Sequence, residues 1–154
     1  MKDYETNILI IGIGNSGRSD DGLGWAFLDA LQGKFSGEFD LEYRYQLQIE
    51  DAELISRYDI VYFVDAHLEQ FPEGYKLESC LQENSGSFST HQLDPGTVLF
   101  LCKSIYKRLP ETYTLGISGN RFELNIGLSS KAELNLSNAL NYFENNIIRQ
   151  TIKN

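Results

Sequence analysis

Apolar residues follow two rhythms along this chain. The run Asn7-Ile8-Leu9-Ile10-Ile11 is apolar without alternation, the pattern of a strand covered on both faces in a parallel sheet. Leu23, Trp25, Ala26, Phe27, Ala30 and Leu31 instead recur at helical spacing and predict a helix that begins near Asp21 or Gly22. A second strand is expected over roughly Leu41 to Leu47, a short helix over Glu50 to Ile55, and a second buried strand over Asp59 to Asp65, ending in a carboxylate. Tyr75 to Leu81 reads as a strand at a sheet edge, antiparallel to its neighbour, and Gln82 to Thr90 as a mobile polar loop. Asp94 is placed to cap a helix that has Pro95 in its first turn and turns Val98, Leu99, Leu101, Cys102 and Ile105 inward. Tyr113 to Ser118 reads as the last strand. Ser130-x-x-Glu133 reads as a capping box ahead of a C-terminal helix carrying Leu134, Leu136, Ala139, Leu140, Phe143 and Ile147 toward the core. Strands alternating with helices predict an α/β three-layer sandwich, with a twisted, mostly parallel sheet of about five strands flanked by helices.

Length and charge narrow the functions open to such a domain. At 154 residues the chain suits one domain spanning 1–154. Its 13 basic against 22 acidic residues give a net charge of −9, which argues against nucleic acid and anionic membranes as partners. No apolar run has the length of a membrane span, and Met1-Lys2-Asp3-Tyr4-Glu5 lacks the apolar core of a signal peptide. Cys80 and Cys102 stand outside any C-x-x-C pair among apolar neighbours, as free thiols of a reducing compartment do. A cytoplasmic monomer is expected.

The segment Gly12-Ile13-Gly14-Asn15-Ser16-Gly17-Arg18-Ser19-Asp20-Asp21-Gly22 joins the first strand to the first helix. Gly12-x-Gly14-x-x-Gly17 matches the dinucleotide fingerprint. However, Asp20 and Asp21 occupy the helix N-terminus, where a pyrophosphate would need positive potential, and the second strand ends in Gln46-Leu47-Gln48 without an acidic residue for a ribose hydroxyl. In a parallel sheet the first and third strands end at the same edge, so Asp21 and Asp65 should meet there. With an imidazole delivered by a later loop, for which His91 is the best placed, they form an oxygen and nitrogen donor set suited to nickel, zinc or a similar ion. The same residues also have plainer readings: Asp21 as a helix cap, Asp65 bonded to backbone amides, and His91 exposed. His67 is expected to be exposed and nonligating. Asp20 is expected to support the site or act as a helix-terminus charge, Asn15 to fix the turn, and Arg18 to be solvated or to neutralise a carboxylate. Neither a G-x-S-x-G elbow nor an H-E-x-x-H helix occurs.

Taken together, Gly12-Ile13-Gly14-Asn15, Arg18-Ser19-Asp20-Asp21-Gly22-Leu23-Gly24, Val64-Asp65-Ala66, Thr90-His91-Gln92-Leu93 and Phe122-Glu123-Leu124-Asn125-Ile126-Gly127-Leu128-Ser129 resemble the hydrogenase maturation proteases in order and spacing. Members of that family trim a C-terminal peptide from the large subunit of nickel-iron hydrogenase after nickel has been inserted. The resemblance implies an endopeptidase whose metal-binding and catalytic residues are Asp21, Asp65 and His91, with nickel presented by the hydrogenase large-subunit precursor. Ser16-Gly17 and Gln46-Leu47-Gln48 depart from the family's common segments. The glutamine segment, with Phe122-Glu123-Leu124, is similar to the branch acting on soluble bidirectional hydrogenases. The alternatives are a noncatalytic nickel-binding maturation scaffold and a nucleotide-binding α/β domain.

Overall fold

The computed structural model describes residues 6–35, 37–84 and 93–148. Ile8–Ile13 (β1), Asp40–Arg44 (β2), Ile60–His67 (β3), Tyr75–Ser79 (β4) and Glu111–Ser118 (β5) form one sheet in the order β2-β1-β3-β5-β4. The first four strands of that order run parallel, and β4 closes one edge antiparallel to β5. Leu23–Lys34 (α1), Glu50–Ile55 (α2), Pro95–Leu101 (α3) and Ser130–Phe143 (α4) complete the α/β sandwich.

Strand geometry sends successive side chains to opposite faces, and both faces of the interior strands are covered. Ile8, Ile10, Tyr62, Val64, Leu115 and Ile117 pack with Leu23, Phe27, Leu28 and Leu31 of α1 and with Ala139 and Phe143 of α4. On the other face Leu9, Ile11, Val61 and Phe63 meet Ala52 and Ile55 of α2 and Val98 and Leu99 of α3, with Leu47 and Cys102. This double burial is why β1 and β3 read as unbroken apolar runs.

Several boundaries differ from the sequence reading. The first helix starts at Leu23, because Ser19–Gly22 form a tighter 3₁₀ turn ahead of it. The second strand stops at Arg44, and residues 45–47 leave the sheet. Ser129, rather than Ser130, caps α4: its backbone is extended, and its Oγ accepts from the Ala132 amide at 3.2 Å. Leu134 is 61% exposed, since the buried stripe of α4 runs through Ala132, Asn135, Ala139 and Phe143 and leaves position 134 outside it. Ile105 also faces out: after α3 the chain widens into a π-type turn over Cys102–Tyr106, which shifts the helical phase. Asp94 does cap α3, accepting from the Thr97 amide at 2.9 Å. Among the described residues, no helix is long and apolar enough to cross a membrane.

Candidate active site

The glycines of the first turn let α1 approach the sheet. A Cβ on Gly24 would lie 2.6 Å from the carbonyl oxygens of both Ile13 and Val64, and one on Gly12 would lie 2.7 Å from the Gly24 oxygen. At Gly14 a side chain would come within 2.1 Å of the Asp21 carbonyl. Backbone packing thus accounts for Gly12 and Gly14 of the spacing that resembled a dinucleotide fingerprint, while a Cβ on Gly17 would meet only the Asn15 side chain. Asn15 fixes the turn as expected: its Oδ1 accepts from the Gly17 amide at 2.8 Å, and its own amide donates to the Asp21 carbonyl at 3.1 Å.

This turn carries Asp21 to the edge where the parallel strands end. Asp65 arrives there on β3, paired in register with Ile13 of β1 and Gly116 of β5. Both carboxylates line one cleft of about 400 Å³, together with Ile13, Gly14, Tyr45, Gln46, Leu47, Leu93, Asp94 and Pro95. Among the described residues, no Lys, Arg or His side chain lines this cleft. Burial, reinforced by the nearby Asp21 charge, pushes the Asp65 carboxyl up to about 7, and the Ala66 amide only partly offsets this. Asp21 is raised in the same direction, because burial outweighs the Arg18 charge and the Asn15 amide.

His91 lies outside the described residues, as does most of the loop Gln82 to Thr90. The described chain resumes at Leu93, in the wall of the cleft, where Leu93 bridges to Leu47. Among the described residues, no group of three or more His, Cys, Asp or Glu side chains has the placement to hold a metal ion. His67 is exposed, its Nδ1 accepts from the Glu69 amide at 3.2 Å, and its ring rests against Phe71. Cys102 is buried and Cys80 half-buried, both as free thiols. Burial pushes Cys80 up to about 11 and raises Cys102 as well, so neither is an activated nucleophile.

Asp20 behaves unlike its neighbour. It is fully buried, and burial alone would raise its carboxyl, but hydrogen bonds from Ser129, Asn120 and Arg121 hold it below the usual range. Asp20 lies in the first turn of the 3₁₀ segment ahead of α1, where a helix-terminus charge is expected, but its side chain makes no cap there and accepts from residues 120–129 instead.

The walls formed by residues 45–47 and 93–95 were not foreseen. One sequence signal points to the first wall: Arg44 and Asp51 flank it. In the structure Arg44 Nε and Nη2 both reach Asp51 Oδ1 at 3.1 Å, while the Gln48 amide donates to Asp51 Oδ2 at 2.9 Å. The Arg44 carbonyl also accepts from the Gly14 amide at 2.9 Å and from Trp25 Nε1 at 3.1 Å, which ties the wall to the glycine turn.

No protein-family model matches the chain, and no curated protein sequence does. Its structure is similar to that of the hydrogenase maturating endopeptidase HybD from E. coli, with a TM-score of 0.74 at 18% identity over 94% of this chain and 93% of that one. The [NiFe] hydrogenase maturation protease HycI from Thermococcus kodakarensis KOD1 aligns with a TM-score of 0.70 at 24% identity over 97% and 94% of the two chains. An endopeptidase from Escherichia coli aligns with a TM-score of 0.68 at 19% identity over 91% and 94%. The chain therefore has the fold of the solved hydrogenase maturation proteases along nearly its whole length.

Proposed function

We propose that this protein is an endopeptidase that removes a C-terminal peptide from the nickel-loaded large-subunit precursor of a nickel-iron hydrogenase, acting as a monomer in the cytoplasm. The observation that carries the reading is the meeting of Asp21 and Asp65 in one cleft whose described lining holds no Lys, Arg or His. Two hard oxygen donors whose charges repel one another suit a divalent ion that would neutralise both and whose remaining ligands come from elsewhere. His91 supplies one in this reading, and the precursor that brings the nickel supplies the others. The dinucleotide alternative is disfavoured by the Asp21 and Asp65 carboxylates, which line the cleft where a pyrophosphate would need positive potential.

Held by Asp21, Asp65 and His91, such an ion would supply Lewis-acid chemistry at the scissile carbonyl and its attacking water, or would serve as a latch that positions the scissile bond. The chain's own residues then have distinct tasks. Asp65 takes a proton from the attacking water on one Oδ atom as general base. Asp21 lines the same cleft and orients the bound group, while Leu47, Leu93 and Pro95 supply its apolar lining.

Incubation with nickel-loaded precursor, followed by mass spectrometry, tests the reading. Wild-type protein shortens the precursor, whereas Asp65→Ala and His91→Ala keep the fold and leave the precursor's mass unchanged. Normal tail removal by both variants refutes the assignment. A nickel-free precursor resists cleavage if metal is the checkpoint, and efficient trimming of it eliminates the checkpoint while leaving the peptidase. Nickel binding without any change in the precursor's mass identifies a carrier instead.

A further inference from the structure

We propose that Asp20 is a positioning residue: its buried carboxylate clamps the segment 119–129 onto the glycine turn and thereby fixes where Asp21 stands in the cleft. This inference rests on the peptidase reading of that cleft. Asp20 does not line the cleft, so it acts through its neighbour rather than on a substrate.

The clamp is built from one carboxylate and donors about a hundred residues away. Asp20 Oδ2 accepts from the Asn120 amide at 2.7 Å, the Arg121 amide at 2.8 Å and Ser129 Oγ at 2.7 Å, and Oδ1 accepts from the Ser129 amide at 2.7 Å. All four donors belong to the connection between β5 and α4. Charge-assisted bonds of this kind are short and directional, so they set geometry as well as energy. Gly119 permits the approach, since a Cβ there would lie 3.0 Å from Asp20 Cβ and 2.6 Å from the Phe122 ring.

The backbone on either side repeats the tie. The Asp20 amide donates to the Arg121 carbonyl at 2.8 Å, the Ser19 amide to the Asn125 carbonyl at 2.8 Å, and the Asn125 amide to the Gly17 carbonyl at 3.0 Å. Ser19 Oγ adds a bond to the Glu123 carbonyl at 2.9 Å. Ser19 itself sits at φ 52°, a left-handed conformation that a non-glycine residue keeps only where its surroundings over-determine it. The turn that presents Asp21 is therefore shaped by a distant segment, and Asp20, with four of the side-chain bonds against one from Ser19, is the main side chain joining the two. Adjacent aspartates thus divide the work, one facing the cleft and one facing the scaffold.

Asp20→Asn tests this, because an amide nitrogen facing N–H donors cannot accept from them. At saturating precursor the variant should trim at least ~30-fold more slowly, with the half-saturating precursor concentration within about threefold of wild type, as expected for an interaction lost only at the reacting centre. Amide hydrogen exchange should accelerate about tenfold or more across 119–129 and leave the amides of β1 and β3 unchanged. Ser129→Thr retains the hydroxyl and should retain the rate, whereas Ser129→Ala, which also loses the cap of α4, should lose more of the rate than its folded fraction accounts for. This pair decides the matter if Asp20→Asn does not fold. A wild-type rate in Asp20→Asn, or a loss that merely follows the folded fraction measured by circular dichroism, overturns the proposal. Unchanged exchange across 119–129 in Asp20→Asn also overturns it. Failure of wild-type protein to trim the precursor defeats the peptidase reading, and the exchange data still report on the clamp.

Discussion

Asp65 follows four buried residues, Val61 to Val64, inside β3, which runs on through Ala66 and His67, beyond the end the sequence suggested, and its carboxyl carries the cost of that position. The folded-state pKa of about 7 lies above the ordinary 3.8, so the folded protein holds the proton more tightly than the unfolded chain does. The neutral form's contribution to stability is fully present below about pH 4 and is lost as pH rises through about 7. Asp65→Asn removes the charge while keeping the shape. In metal-free protein it should raise stability by ~2 kcal/mol at pH 8 and change it little at pH 4, as read from urea midpoints at the two values. A site that weakens its own apo fold in this way is the expected mark of a group kept for chemistry rather than for packing. This residue was legible in the sequence, because a carboxylate that follows an apolar run has few inexpensive explanations.

Helices show where one-dimensional patterning stops. On α4, counting apolar residues places Leu134 inside, yet Ala132, Asn135, Ala139 and Phe143 form the buried stripe. The choice depends on which face meets the sheet, and Phe143 decides it by packing edge-on against Phe27 and Tyr62 with ring centroids 5.3 and 5.1 Å apart. Phe143→Ala should therefore cost about 3–5 kcal/mol, whereas Leu134→Gln should stay within about 0.5 kcal/mol, as measured by chemical denaturation. Equal losses would restore the sequence reading. By contrast, the short helix Glu50–Ile55 and the cap of α3 were read correctly. Both are local: Asp94 bonds an amide three residues on, and proline can start a helix but not continue one.

At the scale of the molecule, function depends on how closely α1 lies on the sheet, because that distance sets where the first turn and β3 present their carboxylates. Gly24 controls it, wedged against the Ile13 and Val64 carbonyls. Gly24→Ala should lower stability by ~2 kcal/mol or more despite the better helix propensity of alanine, seen as a reduced thermal midpoint. The sequence by itself determined the α/β class, the antiparallel edge strand and the pairing of Asp21 with Asp65, because buried strands, helix caps and a carboxylate that follows an apolar run leave local signals in residue type and spacing. Tertiary structure alone decided that Asp20 turns away from the cleft to bind residues 120–129 and that Tyr45 to Leu47 and Leu93 to Pro95 wall it. Those arrangements join segments far apart in the chain, where hydrogen-bond partners are chosen by layer packing that no local pattern encodes.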